Sequence, residues 1–325
     1  MIKEMSMWRN IFRENNVRSL NEAIVCGKAR YLINLSETLH DHRYAGIADR
    51  IAERKSVRLV LIAGPSSSGK TTSSKRLALH MRVNGLNPIV ISLDDYFRNR
   101  VDTPRDENGE YDFECLEALD VPFLNEQLGQ LFAGRRVEIP KYDFASGTRK
   151  FEGQYLQLTD NDVLIMEGIH GLNPGLTPQI SQQEKFQLYV SVLRPIVIDE
   201  HTRMSSRDYR LLRRMVRDNQ FRGMTAEDTI LRWPSVRAGE ERYILPYKGL
   251  ADMEFNSGLF YEIPILKCYA EPLLQAIPAS SPAYDEARRL LDVIRSVIAM
   301  TPLDVRHIPP TSIIREFIGG SSFHY

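Results

Sequence analysis

A phosphate-binding loop is the clearest candidate for chemistry in this chain. Residues 64–71 read Gly-Pro-Ser-Ser-Ser-Gly-Lys-Thr, after an apolar run at 57–63 that predicts a buried strand and before a predicted helix at 70–83. The two glycines let the backbone curl so that N–H groups face phosphate oxygens, and the helix N-terminus favours the same anion. A glycine-serine turn with a chance lysine would not need this strand and helix around it. The segment therefore predicts a nucleoside triphosphate site.

Two side chains of this loop have separate expected roles. The Lys70 ammonium would reach the β- and γ-phosphates, and the Thr71 hydroxyl would ligate Mg²⁺. ATP and Mg²⁺ are therefore the expected cofactors. The residues predicted to bind the nucleotide are Gly64, Pro65, Ser66, Ser67, Ser68, Gly69, Lys70, Thr71 and Thr72.

Acidic residues end two further predicted strands. The strand predicted at 88–93 runs into Asp94 and Asp95, and the strand predicted at 162–167 ends on Glu167. In a parallel sheet the chemistry lies at the carboxyl ends of the strands, where the phosphate loop also sits. Side chains alternate along a strand, so Asp94 and Asp95 should point to opposite sides and only one should serve the site.

An arginine-rich stretch occupies residues 203–245. Four of its arginines recur at three- and four-residue spacing and should share one helix face: Arg210, Arg213, Arg214 and Arg217. Arg222 and Gly223 then predict a break in the helix, as at a hinge. Arginines beside a phosphate loop can stabilise a transferring phosphoryl group, whereas the simpler interpretation is a solvated basic helix face.

Near-continuous apolar strands alternate with helices from residue 57 onward, which predicts an α/β fold with a mostly parallel sheet covered by helices on both faces. Further strands are predicted at 137–139, 186–192 and 262–267, and further helices at 117–133, 284–300 and 311–318.

The first 55 residues contain no strand-like run and predict a helical hairpin. Ser19 and Glu22 form a capping-box pattern for the first helix, and a second helix is expected from Ala45. His40 and His42 would flank the turn between the two helices, in contact with solvent.

Bulk composition limits the class of protein. The chain has 325 residues, 43% of them apolar, with 42 basic and 42 acidic side chains. This balance gives no global field for nucleic acid or an anionic membrane, so neither is an expected partner. Cys26, Cys115 and Cys268 lie far apart and lack metal-ligand spacing, as is typical of reduced thiols. Without an apolar signal region or a membrane-length apolar stretch, we expect a cytoplasmic protein.

Five segments, in this order, resemble the uridine kinase family, within the wider uridine kinase and phosphoribulokinase group: 64–71, 91–97 (ISLDDYF), 139–149 (IPKYDFASGTR), 163–169 (VLIMEGI) and 210–218 (RLLRRMVRD). The last resembles the lid helix of the family. The chain also resembles the kinase portion of bacterial proteins that carry a threonyl-tRNA-synthetase-like N-terminal region.

The resemblance implies three domains or segments. Residues 1–55 would form a helical N-terminal extension, and 56–275 a P-loop kinase domain with an Arg-rich lid near 203–245. Residues 276–325 would form a C-terminal helical segment packed on the kinase domain.

The resemblance also implies roles for single residues. Asp94 would accept the proton of the substrate hydroxyl, and Glu167 would hold Mg²⁺ through water. The implied catalytic residues are Asp94, Lys70, Arg214 and Arg217, and Arg222 would contact the nucleotide phosphates. The implied substrate-binding residues are Asp94, Tyr96, Glu114, Tyr142 and Arg149. The implied metal-binding residues are Thr71, Glu167 and Asp94.

Three departures from the family pattern affect the acceptor and the lid. Gly147 stands where the family has a base-reading histidine, so we expect poor discrimination between uridine and cytidine unless His201, in an apparent insertion at 193–207, replaces it. Met224 stands where a further lid arginine is expected.

The leading hypothesis is an ATP-dependent nucleoside kinase of pyrimidine salvage that phosphorylates the 5′-hydroxyl of uridine or cytidine. A kinase of another hydroxyl compound, such as a sugar phosphate, is the nearest alternative. A nucleotide-dependent regulatory ATPase is the alternative from another class, and RNA binding through the arginines is a weaker one. A homo-oligomer is left open.

Overall fold

The computed structural model describes residues 16–107, 109–193, 196–198 and 204–325. Its main sheet has five strands in the order β2-β5-β1-β6-β7, and all four neighbouring pairs are parallel. The strands are β1 (Leu59–Ala63), β2 (Asn87–Ser92), β5 (Asp162–Glu167), β6 (Lys185–Ser191) and β7 (Met253–Asn256). A separate antiparallel hairpin contains β3 (Val137–Asp143) and β4 (Thr148–Leu156).

Ten helices surround these strands in the described residues. They are α1 (Val17–Val25), α2 (Ala29–Glu53), α3 (Lys70–Val83), α4 (Val121–Phe132), α5 (Ser206–Phe221), α6 (Ala226–Tyr243), α7 (Glu262–Gln275), α8 (Tyr284–Arg295), α9 (Pro302–Val305) and α10 (Arg315–Ile318).

The central strand β1 is buried on both faces. Val60 and Ile62 belong to an apolar cluster with helices α2 and α3, whereas Leu59 and Leu61 belong to a cluster with α4. Alternating side chains that are all apolar require cover on both sides of a sheet. The predicted α/β fold, with helices on both faces of a parallel sheet, is confirmed.

A third apolar cluster joins α5 and α6 to the C-terminal helices. Leu211, Leu212, Met215 and Val216 of α5 are fully buried in it, together with residues of α7 and α8. The arginine-rich helix is therefore anchored along its apolar face by a large core, while its other face is directed toward the phosphate loop.

The strand predicted at 262–267 is wrong, because this segment begins helix α7. Short buried apolar runs fit a strand and a buried helix equally well by pattern alone. Pro264 lies in the first turn of the helix, where no backbone N–H is needed for the ladder. The strand that follows β6 at this edge of the sheet is β7 instead.

The predicted turn at His40 and His42 is also wrong. The two N-terminal helices meet at residues 26–28, and α2 continues through both histidines. The side chain of Asn16, rather than Ser19, caps α1 by accepting from the Ser19 N–H. His40 is buried, and burial together with the nearby Arg76 holds its pKa well below its ordinary value.

No helix in the described part of the chain has the length and apolar character to cross a bilayer.

Candidate active site

The phosphate loop connects β1 to α3 at the centre of the sheet, as predicted. A β-carbon at Gly64 would lie 2.0 Å from the backbone oxygen of Val190, so only glycine fits beside β6. Gly69 precedes α3 with a φ of 87°, in the left-handed region that favours glycine. The two glycines thus allow close packing and a tight turn at the points where the loop needs them.

Two buried arginines hold the loop from behind. Arg213 donates to the backbone oxygens of Ser67 (3.3 Å) and Ser68 (3.2 Å), and its guanidinium is paired with the Glu262 carboxylate. Arg210 donates to the backbone oxygen of Ser66 (3.2 Å). These contacts occupy the backbone oxygens of residues 66–68 and hold the loop against helix α5. The solvated-face interpretation is wrong for both arginines, which are at most 1% exposed.

Lys70, Thr71 and Glu167 meet where β1 and β5 end. The Thr71 hydroxyl donates to Glu167 Oε1 (2.9 Å), and the Lys70 ammonium lies 3.4 Å from the backbone oxygen of Pro65. Burial raises the pKa of Glu167 to about 7; Lys70 opposes this rise and the charge of Asp94 adds to it. The predicted metal ligands therefore lie together beside the phosphate loop.

The two aspartates that follow β2 have different surroundings. Asp95 accepts from the Tyr142 N–H (3.1 Å) and pairs with the Lys141 ammonium (3.3 Å), so it ties the β3–β4 hairpin to the end of β2. Asp94 is exposed at the surface, but the protein around it displaces enough water to raise its pKa above its ordinary value, and the charge of Lys70 opposes this shift. This difference supports Asp94, rather than Asp95, as the carboxylate that faces the site.

Three arginines of the lid region gather around one aspartate. Arg214 donates to the Ser66 hydroxyl of the phosphate loop (2.8 Å) and lies 3.2 Å from Asp218 Oδ2. Arg217 reaches Asp218 Oδ1 at 2.8 Å, and Arg222 reaches the same atom at 3.6 Å. Helix α5 ends at Phe221, as the predicted break requires.

Glu114 lies near these charges, although it is distant in sequence. Burial raises its pKa, while Arg214 and Lys70 oppose that shift. Helix α6 packs directly on it, since a β-carbon at Gly239 would lie 2.7 Å from two carbon atoms of the Glu114 side chain. Its position keeps it a candidate for substrate contact.

Tyr142 lies in an aromatic group next to Asp95. Its ring centre is 5.6 Å from that of Phe97 and 5.0 Å from that of Phe144. At the tip of the same hairpin, Gly147 has a φ of 69°, and a β-carbon there would lie 2.8 Å from the Arg100 side chain. The Arg100 side chain thus occupies the space beside Gly147. His201, the predicted alternative donor, lies outside the described residues.

Two predicted substrate-binding residues, Tyr96 and Arg149, make contacts within the protein. Tyr96 is 1% exposed, and its hydroxyl donates to Gln127 (2.9 Å), so its ring belongs to the core. The Arg149 guanidinium pairs with Asp120 (3.0 Å) and lies over the Phe123 ring. These contacts help to hold the hairpin and α4 together, and substrate contact by Tyr96 and Arg149 stays a prediction.

The C-terminal segment contacts the phosphate loop helix, which no sequence pattern predicted. Glu316 Oε2 accepts from the Thr72 hydroxyl (2.5 Å) and lies 3.3 Å from the Thr72 N–H, while the Tyr325 hydroxyl lies 2.9 Å from the Thr72 hydroxyl. Glu316 is 244 residues from Thr72 along the chain, so no local signal could have found the contact.

The site can accommodate Mg²⁺. The described residues contain no cluster of three or more His, Cys, Asp or Glu side chains of the kind that cages a metal. In phosphoryl-transfer sites, however, Mg²⁺ is bound by one or two carboxylates together with substrate phosphates. The oxygen ligands of Thr71, Glu167 and Asp94 beside the loop fit that requirement.

Comparisons with known proteins cover this region. The sequence model of the Phosphoribulokinase / Uridine kinase family matches residues 59–263. A uridine kinase from Bacillus cereus is 31% identical over 198 residues, covering 61% of this chain and 84% of that protein. A uridine kinase from Staphylococcus aureus is 30% identical over 205 residues, covering 63% and 89%. A solved D-glycerate 3-kinase from Cryptococcus neoformans is 16% identical with a TM-score of 0.33, and the match covers 85% of this chain and 87% of that one.

Proposed function

The chain belongs to the phosphoribulokinase/uridine kinase family, whose members are phosphotransferases with an alcohol acceptor, and we propose that it transfers the γ-phosphate of ATP to the 5′-hydroxyl of uridine or cytidine. The observation that carries this proposal is the meeting of the phosphate loop, two strand-end carboxylates and three arginines at one edge of the sheet. The names of the two bacterial relatives support a pyrimidine nucleoside as the acceptor.

The phosphate loop would bind the donor. Arg210 and Arg213 hold its carbonyl oxygens, which would leave backbone N–H groups for the phosphates, and the N-terminus of α3 adds its positive end. Lys70 would leave the Pro65 oxygen for the β- and γ-phosphates, because a phosphate oxygen is a stronger partner for an ammonium than a neutral carbonyl is.

Asp94 would orient the acceptor hydroxyl and take its proton. A raised pKa brings a carboxylate nearer the range in which it accepts a proton effectively. Asp95 is not free for this role, since the Tyr142 N–H and Lys141 engage it. Much of the rate would come from holding the hydroxyl in line with the γ-phosphate.

Thr71 and Glu167 would hold Mg²⁺, with Asp94 next to them. When bound, the ion supplies charge neutralisation at the β- and γ-phosphate oxygens. Thr71 would turn its hydroxyl proton away from Glu167, and Glu167 would lose its proton, so that both present oxygen lone pairs. The guanidinium groups of Arg214, Arg217 and Arg222 would stabilise the charge on the transferring group.

A phosphorylated sugar is a second candidate acceptor, favoured by Arg100. Its guanidinium lies against Gly147 and its charge acts on Tyr142, at the hairpin that the resemblance assigns to the acceptor. A guanidinium binds phosphate oxygens as readily as it binds carbonyl oxygens. The assay that tests the proposal therefore compares nucleosides with sugar phosphates as acceptors.

The test is ADP formation with ATP, Mg²⁺ and a panel of nucleosides and sugar phosphates, with the product identified by mass spectrometry. We expect turnover that depends on uridine or cytidine. Lys70→Ala should abolish it and leave the fold intact, whereas Lys55→Ala, which removes an exposed lysine before β1, should change nothing. ATP turnover that no acceptor stimulates, or that survives Lys70→Ala, would refute the kinase proposal.

A further inference from the structure

We propose that Asp218 is a positioning residue that aims the guanidinium groups of Arg214, Arg217 and Arg222 at the transferring phosphoryl group. The inference rests on the proposed function, since it concerns how the same site is organised. Asp218 lies in the last turn of α5 and is completely buried.

The two oxygens of Asp218 divide their partners. Oδ1 accepts from Arg217 Nε (2.9 Å) and also lies 3.6 Å from Arg222 Nε. Oδ2 lies 3.2 Å from Arg214 Nε, but without the alignment of a hydrogen bond. One carboxylate therefore holds the three guanidinium groups partly through charge, and the direction of each group depends on where that carboxylate lies.

The backbone of Asp218 contributes to the same arrangement. Its carbonyl oxygen accepts from the N–H groups of Arg222 (3.0 Å) and Met224 (3.1 Å). This contact closes the last turn of α5 and folds the chain back at Gly223, which has a φ of 63°. Arg222 is brought back toward the carboxylate, although the helix has ended before it.

Without a counter-ion the three guanidinium groups would repel one another. The charge of Arg217 lowers the pKa of both Arg214 and Arg222 after the effect of burial, which places the groups within interaction range of each other. Asp218 reduces the formal charge of the group from +3 to +2 and holds it together. Enough positive charge remains to act on a phosphoryl group.

The cluster faces the reacting groups. The charges of Arg217 and Arg222 act on Asp94, the charge of Arg214 acts on Glu114, and Arg214 contacts the Ser66 hydroxyl of the loop. Donors that are held in place before the reaction stabilise a transition state without reorganisation, and misplacement by about 1 Å costs about 10²-fold in rate.

The variant Asp218→Asn distinguishes the positioning of the guanidinium groups from the effect of net charge and from the effect of protein stability. The amide keeps the size of the side chain but loses its charge, so the net positive charge near the phosphates rises. We expect kcat to fall by about 10- to 100-fold while KM for ATP stays equal or falls, because the added positive charge attracts the anion as the guanidinium groups lose their aim. Asp218→Glu keeps the charge and should give an intermediate kcat.

Asp208→Asn is the matched control. Asp208 is a buried aspartate of the same helix that caps its N-terminus and pairs with Arg289 (2.6 Å), away from the three arginines. This variant should lose stability and keep kcat. A kcat for Asp218→Asn within twofold of wild type would overturn the proposal. So would equal losses in both variants, or an unfolded Asp218→Asn beside a folded control.

A second measurement keeps this inference distinct from the acceptor assignment. ADP with aluminium fluoride imitates the transferring phosphoryl group, so wild type should bind ADP more tightly in its presence, and Asp218→Asn should lose that gain. This arm decides the role of Asp218 even if no acceptor in the panel is phosphorylated, a result that would count against the proposed function alone. An equal gain in both proteins would overturn the positioning role.

Discussion

Replacing Glu167 by glutamine should remove a pH dependence from the stability of the protein. Glu167 is buried, and its pKa is raised from an ordinary value of 4.5 to about 7. The folded state therefore binds the proton more tightly than the unfolded chain does. The stabilising contribution of the protonated Glu167 is fully present below about pH 4.5 and is lost as the pH rises to about 7. Each unit of pKa difference corresponds to about 1.4 kcal/mol, so the full effect is about 3 kcal/mol.

The assay is chemical unfolding of wild type and Glu167→Gln at several pH values, with chelator present to exclude Mg²⁺. Between pH 5 and pH 8, wild type should lose about 2–3 kcal/mol more unfolding free energy than the variant, since glutamine does not titrate. Titrating groups that do not interact with Glu167 are common to both proteins and cancel in the difference. Asp94 does interact with Glu167, so the comparison is repeated with both proteins in an Asp94→Asn background. Glu126→Gln, on the exposed side of α4, is the control and should parallel wild type.

If the difference in unfolding free energy between wild type and Glu167→Gln stayed constant from pH 5 to pH 8, the reasoning would be refuted. It would mean that Lys70 and the Thr71 hydroxyl compensate the buried charge completely, so that the carboxylate is ionised in the folded state at all these pH values. Mg²⁺ provides an independent check. In the proposed site, Mg²⁺ binding would require loss of the Glu167 proton, so the affinity of wild type for Mg²⁺ should rise with pH through about 7.

Four further substitutions test the other contacts. Asp94→Asn should lower kcat by about 10²–10⁴-fold, whereas Asp95→Asn should mainly weaken the hairpin contact and unfold at lower denaturant; a larger kcat loss at Asp95 would reverse the assignment. Arg213→Met should cost about 3–5 kcal/mol in unfolding free energy, because it leaves its buried carboxylate partner unpaired, and a loss below about 1 kcal/mol would contradict this. Glu316→Gln should tighten binding of an ATP analogue by about fivefold in calorimetry, because the carboxylate occupies the Thr72 N–H at the helix end that favours phosphate; unchanged or weaker binding would contradict that competition.

Gly147 departs from the family pattern, and the residues around it in the structure change what this departure implies for the acceptor. Its lack of a side chain predicts an acceptor site with one polar group fewer. The space beside it is occupied by Arg100, whose backbone N–H also donates to the Gly147 oxygen (2.8 Å). Gly147→His would have to displace that side chain at a positive φ, so Arg100→Met is the cleaner test of selectivity among acceptors.

Several parts of this site depend only on local order along the chain, and these could be predicted from the residues alone. The spacing of Gly64, Gly69, Lys70 and Thr71, between an apolar run and a helix, was enough to predict the loop, because strand, turn and helix each have a signature of a few residues. The carboxylates at the strand ends followed from the parallel sheet. A residue that belongs to a motif can be predicted because the types and spacing of its neighbours are characteristic.

Contacts between side chains that are far apart in the sequence could not be predicted, because they depend on how distant segments pack. The spacing of the arginines predicts one shared helix face. In the structure, however, Arg213 is buried and paired with Glu262, whereas Arg217 is paired with Asp218. Glu316 reaches Thr72 across 244 residues, and the run from residue 262 is a helix because the surrounding core covers it. Burial and partners arise from packing between distant segments, and helical or strand periodicity does not record which segment lies opposite.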